Sequence, residues 1–99
     1  RLGLAQTLQA TGDVYRMQNH YDDARQHYEQ ALALGREIGD FPSQLNSLMG
    51  LAFSAKEQGD KAGACDYFQQ LFALADSHPF FKTHPLVQKW REVAAELGC

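Results

Sequence analysis

The four histidines are the side chains of this chain best suited to metal binding or proton transfer. His20 and His27 lie seven residues apart, but His20 is expected in a turn, and no cysteine or carboxylate set completes a ligand cluster. His78 and His84 flank the segment PFFKT and are typical of turn or capping residues. No serine, cysteine or carboxylate pair has a base at a spacing that suits catalysis. The sequence therefore predicts no catalytic residue, no metal site and no cofactor, and the chain is not expected to be an enzyme.

The two cysteines, Cys65 and Cys99, are too few for a disulfide framework or a metal cluster. Cys65 follows Ala64 in a predicted helix, where a small side chain fills space, and Cys99 is the last residue. This pattern favours a reducing, cytoplasmic setting. The chain begins with Arg1 and shows no signal-peptide pattern, so we expect it to be a piece of a longer protein.

Size and charge limit the classes of protein to which the chain can belong. With 99 residues, 44% of them hydrophobic, it is expected to form one soluble domain over residues 1–99. A formal net charge of -3 is too mild to indicate nucleic acid or an anionic membrane as a partner. No apolar stretch approaches the roughly 18 residues that a membrane-spanning helix needs.

An internal repeat of 40 residues organises the chain. Small residues align with small residues and rings with rings when the sequence is shifted by this length. A competing register, based on Gly50, Phe53 and Ala62, would place Asp66 at the core position of Tyr28, so we reject it. The aligned pairs are Gly12 with Ala52, Ala24 with Ala64, Tyr28 with Phe68, and Leu34 with Leu74.

Each copy carries two apolar stripes at helical spacing, and no segment alternates with a period of two. Asn19, Gly39 and Gly59 suit the left-handed residue that ends a helix, whereas Asp40 and Asp60 can accept the free amide hydrogens of the next helix. We therefore expect five helices: repeat one over 2–39, repeat two over 42–78, and a closing helix over 85–98. In the first helix the core stripe is expected to contain Leu4, Leu8, Gly12 and Tyr15.

The alanines of the repeat have a packing role. Two antiparallel helices joined by a short turn approach closely only when the facing side chains are small, which Ala24 and Ala64 provide. Tyr28 and Phe68 then fill the space beside them. In the linker before the closing helix, Thr83 or His84 is expected to cap that helix. Phe80 and Phe81 are expected either to tuck under it with Trp90 or to form a contact patch.

These motifs resemble the tetratricopeptide repeat family. The segments that carry the resemblance are LQATGDVY, YDDARQHYEQAL, LMGLAFSA, GDKAGACDYFQQLF and WREVAAEL. The spacing of 40 residues departs from the usual length of about 34. The resemblance implies an all-α helical-repeat solenoid, with two antiparallel helix pairs plus a closing helix. It also implies a concave groove that is lined by the first helix of each repeat and binds peptides or partner helices.

The leading hypothesis is a protein–protein interaction scaffold. The alternatives are a self-association or capping segment, which makes a homo-oligomer an open option, and a regulatory sensor segment of a larger protein. A clamp for a terminal carboxylate is disfavoured because Gln9, Asp13 and Met49 stand where cations would be needed. Met49 and Phe53 either grip the partner or only pack against the neighbouring helix. The expected groove residues are Gln6, Gln9, Asp13, Arg16, Asn46, Met49, Phe53, Lys56, Gln88 and Arg91.

Overall fold

The computed structural model describes residues 2–99 and is helical throughout, with no strand among those residues. The predicted all-α solenoid of two antiparallel helix pairs and a closing helix is confirmed. The expected number of five helices is wrong, because the proline-bounded linker forms a short helix of its own. The helices are α1 (Leu2–Met17), α2 (Tyr21–Ile38), α3 (Phe41–Gln58), α4 (Lys61–Asp76), α5 (Pro79–Lys82) and α6 (Pro85–Glu96).

Three left-handed residues end the first three helices. Asn19, Gly39 and Gly59 have φ values of 63°, 70° and 85°, as their positions in the sequence predict. Glycine carries no Cβ penalty in this conformation, and asparagine is among the few other residues that tolerate it. Each corner leaves only two or three residues between consecutive helices, so neighbouring helices run antiparallel.

The helix starts follow the predicted capping chemistry in part. The Asp60 carboxylate accepts a hydrogen bond from the Gly63 amide at 3.0 Å, and His84 Nδ1 accepts one from the Leu86 amide at 3.1 Å. The prediction for Asp40 is wrong, because its carboxylate accepts the Ser43 hydroxyl and no backbone amide. A serine three residues into the helix competes for the carboxylate at this position.

The core confirms the packing role of the alanines. Ala24 and Ala64 are fully buried, and so are Tyr28 and Phe68. The prediction that Leu4 belongs to the core stripe of α1 is wrong, since 54% of Leu4 is exposed while its neighbour Ala5 is fully buried. Leu4 lies on a side of α1 that no other described helix covers.

A disulfide corrects the interpretation of the cysteines. Cys65 and Cys99 are bonded, with their Cα atoms 5.5 Å apart, because α6 returns across α4 and brings the end of the chain beside Cys65. Cys65 is therefore a cross-linking residue rather than a small filler. Within the linker, Phe81 packs against the core with Trp90, as predicted, whereas 67% of Phe80 is exposed.

Candidate functional site

The predicted groove residues lie on α1, α3 and α6, the first helices of successive units. Gln6, Lys56 and Gln88 are exposed, and the other seven are half-buried. Half-burial places a side chain at a packed surface while leaving part of it accessible to a partner. Some of these residues bond to a neighbouring helix, and others pack against the core.

On α1, the predicted groove residue Asp13 is hydrogen-bonded to the buried side chain of Tyr28. The Tyr28 hydroxyl donates a hydrogen bond to Asp13 Oδ1. Burial raises the pKa of Tyr28, and the hydrogen bond to Asp13 raises it further, so the phenol keeps the proton that it donates. Asp13 is consequently engaged within the fold, which lowers its capacity to bind a ligand.

An ion pair joins α1 to α3. Arg16 Nη1 donates to Glu57 Oε1 at 3.0 Å, across a separation of 41 residues. The two side chains are 22% and 37% exposed, so solvent screens the pair only in part. Glu57 is not among the residues predicted from the sequence. The sequence feature that could have identified it is an acidic residue 41 positions after Arg16, one more than the repeat length.

On α3, Phe53 and Met49 are the apolar members of the predicted groove. The Phe53 ring meets Phe68 edge to face, with centroids 5.7 Å apart. Lys56 Nζ lies 6.0 Å from the centroid of Phe53, at the limit of a cation–π contact. Met49 packs against the core cluster that contains Tyr28. Both apolar side chains therefore pack against neighbouring helices and also keep an exposed portion.

A cavity of about 210 Å³ lies between the start of α3 and the start of α6, closed at one side by α5. Leu45 and Val87 form its buried wall, while Asn46 is the predicted groove residue that reaches it. The sequence predicts that Phe81 lies with Trp90, but it does not predict a cavity beneath them. The cavity is lined by Pro42, Leu45, Asn46, Phe81, His84, Leu86, Val87 and Trp90.

The two predicted residues on α6 serve contacts within the chain. Arg91 Nη2 donates to Asp76 Oδ1 on α4 at 2.6 Å, and its guanidinium lies 4.6 Å from the ring centroid of Phe72. Gln88 donates to the Lys82 carbonyl at 3.4 Å. The structure therefore places Arg91 against α4 and brings it to none of the groove residues of α3.

Neither a metal site nor a membrane-spanning helix occurs in the part of the chain that the structure describes. Among residues 2–99, no three side chains of the His, Cys, Asp or Glu type converge on a position that could hold a metal ion. None of the helices in the same range has the length and apolar character needed to cross a membrane.

Comparison with protein families gives one match. A family model described as the tetratricopeptide repeat matches residues 1–37 and 12–77. Comparisons with curated proteins and with solved structures give no significant match.

Proposed function

Since the chain belongs to the tetratricopeptide repeat family, we propose that it is a scaffold that binds an extended peptide or a helix of a partner protein in the groove of α1, α3 and α6. Repeats of this family generally mediate protein–protein interaction. The observation that carries the proposal is the half-exposed pair Met49 and Phe53, which is apolar surface flanked by the exposed Lys56. Apolar surface with a polar rim marks protein contact sites.

The groove offers three kinds of contact to a peptide. The amides of Gln6, Gln9, Asn46 and Gln88 can pair with backbone groups of an extended chain. Met49 and Phe53 supply apolar area, and Lys56 supplies a cation. Asp13 and Arg16 shape the groove, because each is held by a partner inside the fold, whereas Arg91 is held against α4.

The cavity beside Asn46 gives the proposal a specific requirement. Its volume of about 210 Å³ suits one bulky apolar side chain, and its walls include the rings of Phe81 and Trp90. A partner with an aromatic or large aliphatic residue at this point would bury that side chain between α3 and α6. Such anchors commonly dominate the affinity of an interface.

The proposal assigns no catalysis, cofactor or nucleic acid to the chain. The family is a repeat scaffold, and no catalytic set is recognised among the described residues. A cytoplasmic setting stays part of the proposal. Disulfides are rare there, so in the cytoplasm Cys65 and Cys99 would be a pair of thiols that the fold holds within bonding reach.

Selection of a displayed peptide library on the chain of 99 residues tests the groove. The enriched peptides are expected to carry a bulky apolar residue, and their affinity is expected to fall by about tenfold in Met49→Ala and in Lys56→Ala, which remove direct contacts. Gln30→Ala, on the exposed side of α2, is the matched control and should bind normally. Peptides that bind both groove variants as tightly as the unchanged chain would remove the proposal.

A further inference from the structure

Cys99 stands at a corner that repeats the earlier corners of the chain. Gly98 has a φ of 86°, in the left-handed region, and the Cys99 amide donates to the Ala94 carbonyl, five residues earlier, at 2.9 Å. The backbone of the corner therefore fixes where Cys99 lies, whether or not a disulfide forms. The same bond closes the three earlier corners at 2.8 Å, where its donors are the amides of His20, Asp40 and Asp60.

The Cys65–Cys99 disulfide is accessible to a small thiol. Cys99 is exposed, and Cys65 is half-buried in the second turn of α4. The exposure of Cys99 belongs to the corner, since His20 and Asp60 are also exposed where the chain continues directly into another helix. Thiol–disulfide exchange requires that an attacking thiolate reach one of the two sulfurs, and this bond meets that condition.

A cation lies beside the same corner. A Cβ atom added at Gly98 would lie 3.1 Å from Lys61 Nζ, and Lys61 precedes Cys65 by one turn of α4. A neighbouring cation favours the thiolate form of a freed cysteine, which is the form that attacks a disulfide. The surroundings of the pair therefore favour exchange as well as permit it.

The disulfide is the strongest single tie between α6 and α4. The ion pair of Arg91 with Asp76 joins the same helices, but its side chains are 35% and 46% exposed, so solvent screens it. The fully covered side chains of α6 are only Val87 and Ala94 among its described residues. Without the disulfide, α6 is held to α4 by these few contacts.

The other end of α6 forms one wall of the cavity beside Asn46. Leu86, Val87 and Trp90 line the cavity from α6, and Leu45 and Asn46 line it from α3. Whereas α1 and α3 pack directly on each other, α3 and α6 enclose this space between them. Because α6 is one helix of 12 residues, about 18 Å long, a shift of its C-terminal end also moves the cavity wall.

We propose that Cys65 and Cys99 form a thiol–disulfide switch that controls peptide binding at the cavity between α3 and α6. In the disulfide form α6 is held against α4 and the cavity is complete. In the dithiol form α6 moves away, and the wall that contains Trp90 is lost. The inference rests on the proposed function, because it assigns regulation to the same site. Disulfides in reducing compartments are usually transient or redox-sensing, which fits the cytoplasmic setting of that proposal.

The opening step is exchange with a small thiol such as glutathione. One thiolate attacks a sulfur of the pair, forms a mixed disulfide with that cysteine and releases the other cysteine as a thiolate. A second thiol molecule then displaces the first cysteine. The pair gains two electrons and two protons, and the two thiol molecules become one disulfide. Oxidised glutathione reverses both steps.

The fluorescence of Trp90, the single tryptophan of the chain, tests the movement of α6. In buffers with increasing ratios of reduced to oxidised glutathione, its emission should shift to longer wavelength, because the half-buried ring becomes exposed when the disulfide opens. Alkylation followed by mass spectrometry counts the free thiols in each buffer. The double variant Cys65→Ser with Cys99→Ser is the control and should show the reduced emission at every ratio.

Two results of these measurements would overturn the proposal. One is an emission that is identical in the disulfide and dithiol forms. The other is a pair of thiols that stays free even in oxidised glutathione alone. Circular dichroism separates a switch from a purely structural cross-link: the dithiol form should keep the helical signal of α1 to α4, and a dithiol form that unfolds as a whole also overturns the proposal.

Peptides selected on the disulfide form measure the effect on binding. Their dissociation constant should rise at least about tenfold on reduction, because the arrangement that binds becomes a minor fraction of the molecules. The double serine variant should bind as weakly as the dithiol form. A peptide held equally by both forms overturns the switch and leaves the proposed function intact. Absence of binding in both forms would overturn the proposed function and the control of binding together, while Trp90 emission would still decide whether α6 moves.

Discussion

Tyr28 and Phe68 occupy the same position in the two repeats, yet their surroundings differ. The Tyr28 ring lies against glycines, Gly12 of α1 and Gly50 of α3. The Phe68 ring lies against alanines, Ala52 of α3 and Ala94 of α6. Both rings are fully buried, so the same space is filled in two ways. The closer glycine contacts leave no slack around Tyr28.

The predicted groove residue that contacts the buried ring differs between the two repeats. Asp13 accepts the Tyr28 hydroxyl, while Phe53, the residue one repeat later, meets the Phe68 ring edge to face. A phenol needs an acceptor when it is buried, whereas a phenyl ring needs only apolar neighbours. The buried ring therefore matches the residue that contacts it at the predicted groove position, a carboxylate at Asp13 in repeat one and a phenyl ring at Phe53 in repeat two.

The helices that cover the two rings are also held differently. Tyr28 is covered by α3, which lies between α2 and α4 in the chain and packs against both. Phe68 is covered by α6, which is held to α4 by the Cys65–Cys99 disulfide and the pair of Arg91 with Asp76. Repeat two thus depends on a cross-link where repeat one depends on continuous packing.

Removal of the disulfide should have the largest effect on this contrast. Cys65→Ser frees a loop of 34 residues, and loops of this length correspond to about 3–4 kcal/mol of unfolding free energy. Amide hydrogen exchange should speed up most in α6 and around Phe68, while the amides of α2 near Tyr28 keep the greater protection. Cys99→Ser should behave alike. Uniform loss of protection in both repeats would show that the two sites are not independent.

Next in size is the effect of Gly50→Ala. The new Cβ would lie 2.3 Å from a ring carbon of Tyr28, so the buried ring must move, at a cost of about 3 kcal/mol. Gly12→Ala should cost less, because its nearest ring atom is 2.9 Å away. Gly3→Ala, with nothing within 4 Å, is the control and should be neutral or slightly stabilising. Urea unfolding ranks the three variants, and a reversed order for Gly50 and Gly12 would contradict the packing described.

The smallest effect is expected from exchanging the rings. Phe68→Tyr buries a hydroxyl beside Phe53 without an acceptor, which should lower the unfolding free energy by about 1–2 kcal/mol. Adding Phe53→Asp supplies the acceptor that Asp13 provides in repeat one, so the double variant should recover part of the loss. A double-mutant cycle in urea measures this coupling. Strict additivity would mean that ring and groove residue are not a matched pair.

Local signals in the sequence were sufficient for the helices and for much of the core. Asn19, Gly39 and Gly59 mark helix ends by their backbone preference alone, and the spacing of Ala24 and Ala64 follows from helix periodicity. These features depend on residues close together in the chain. The groove residues were predicted from the same periodicity, and their role in binding stays a prediction.

Contacts between distant segments were beyond that reasoning. The disulfide depends on how α6 crosses α4, which no spacing rule in the sequence encodes. The role of Gly50 was hidden because its small size served a competing register of the repeat that was rejected for placing Asp66 in the core. The partners of Asp13 and Arg91 likewise follow from tertiary packing. Position on a helix was predictable, but the bonds made there were not.

The corners at Asn19, Gly39 and Gly59 recur every 20 residues, so the helices between them have nearly the same length. Consecutive helices begin and stop level with one another, and the facing positions of each pair stay in step. Loss of one residue from the middle of α3 would rotate the rest of the chain by about 100° relative to the preceding helices. The predicted groove residues after the deletion would then no longer face the same side as those before it, although their identities would not change.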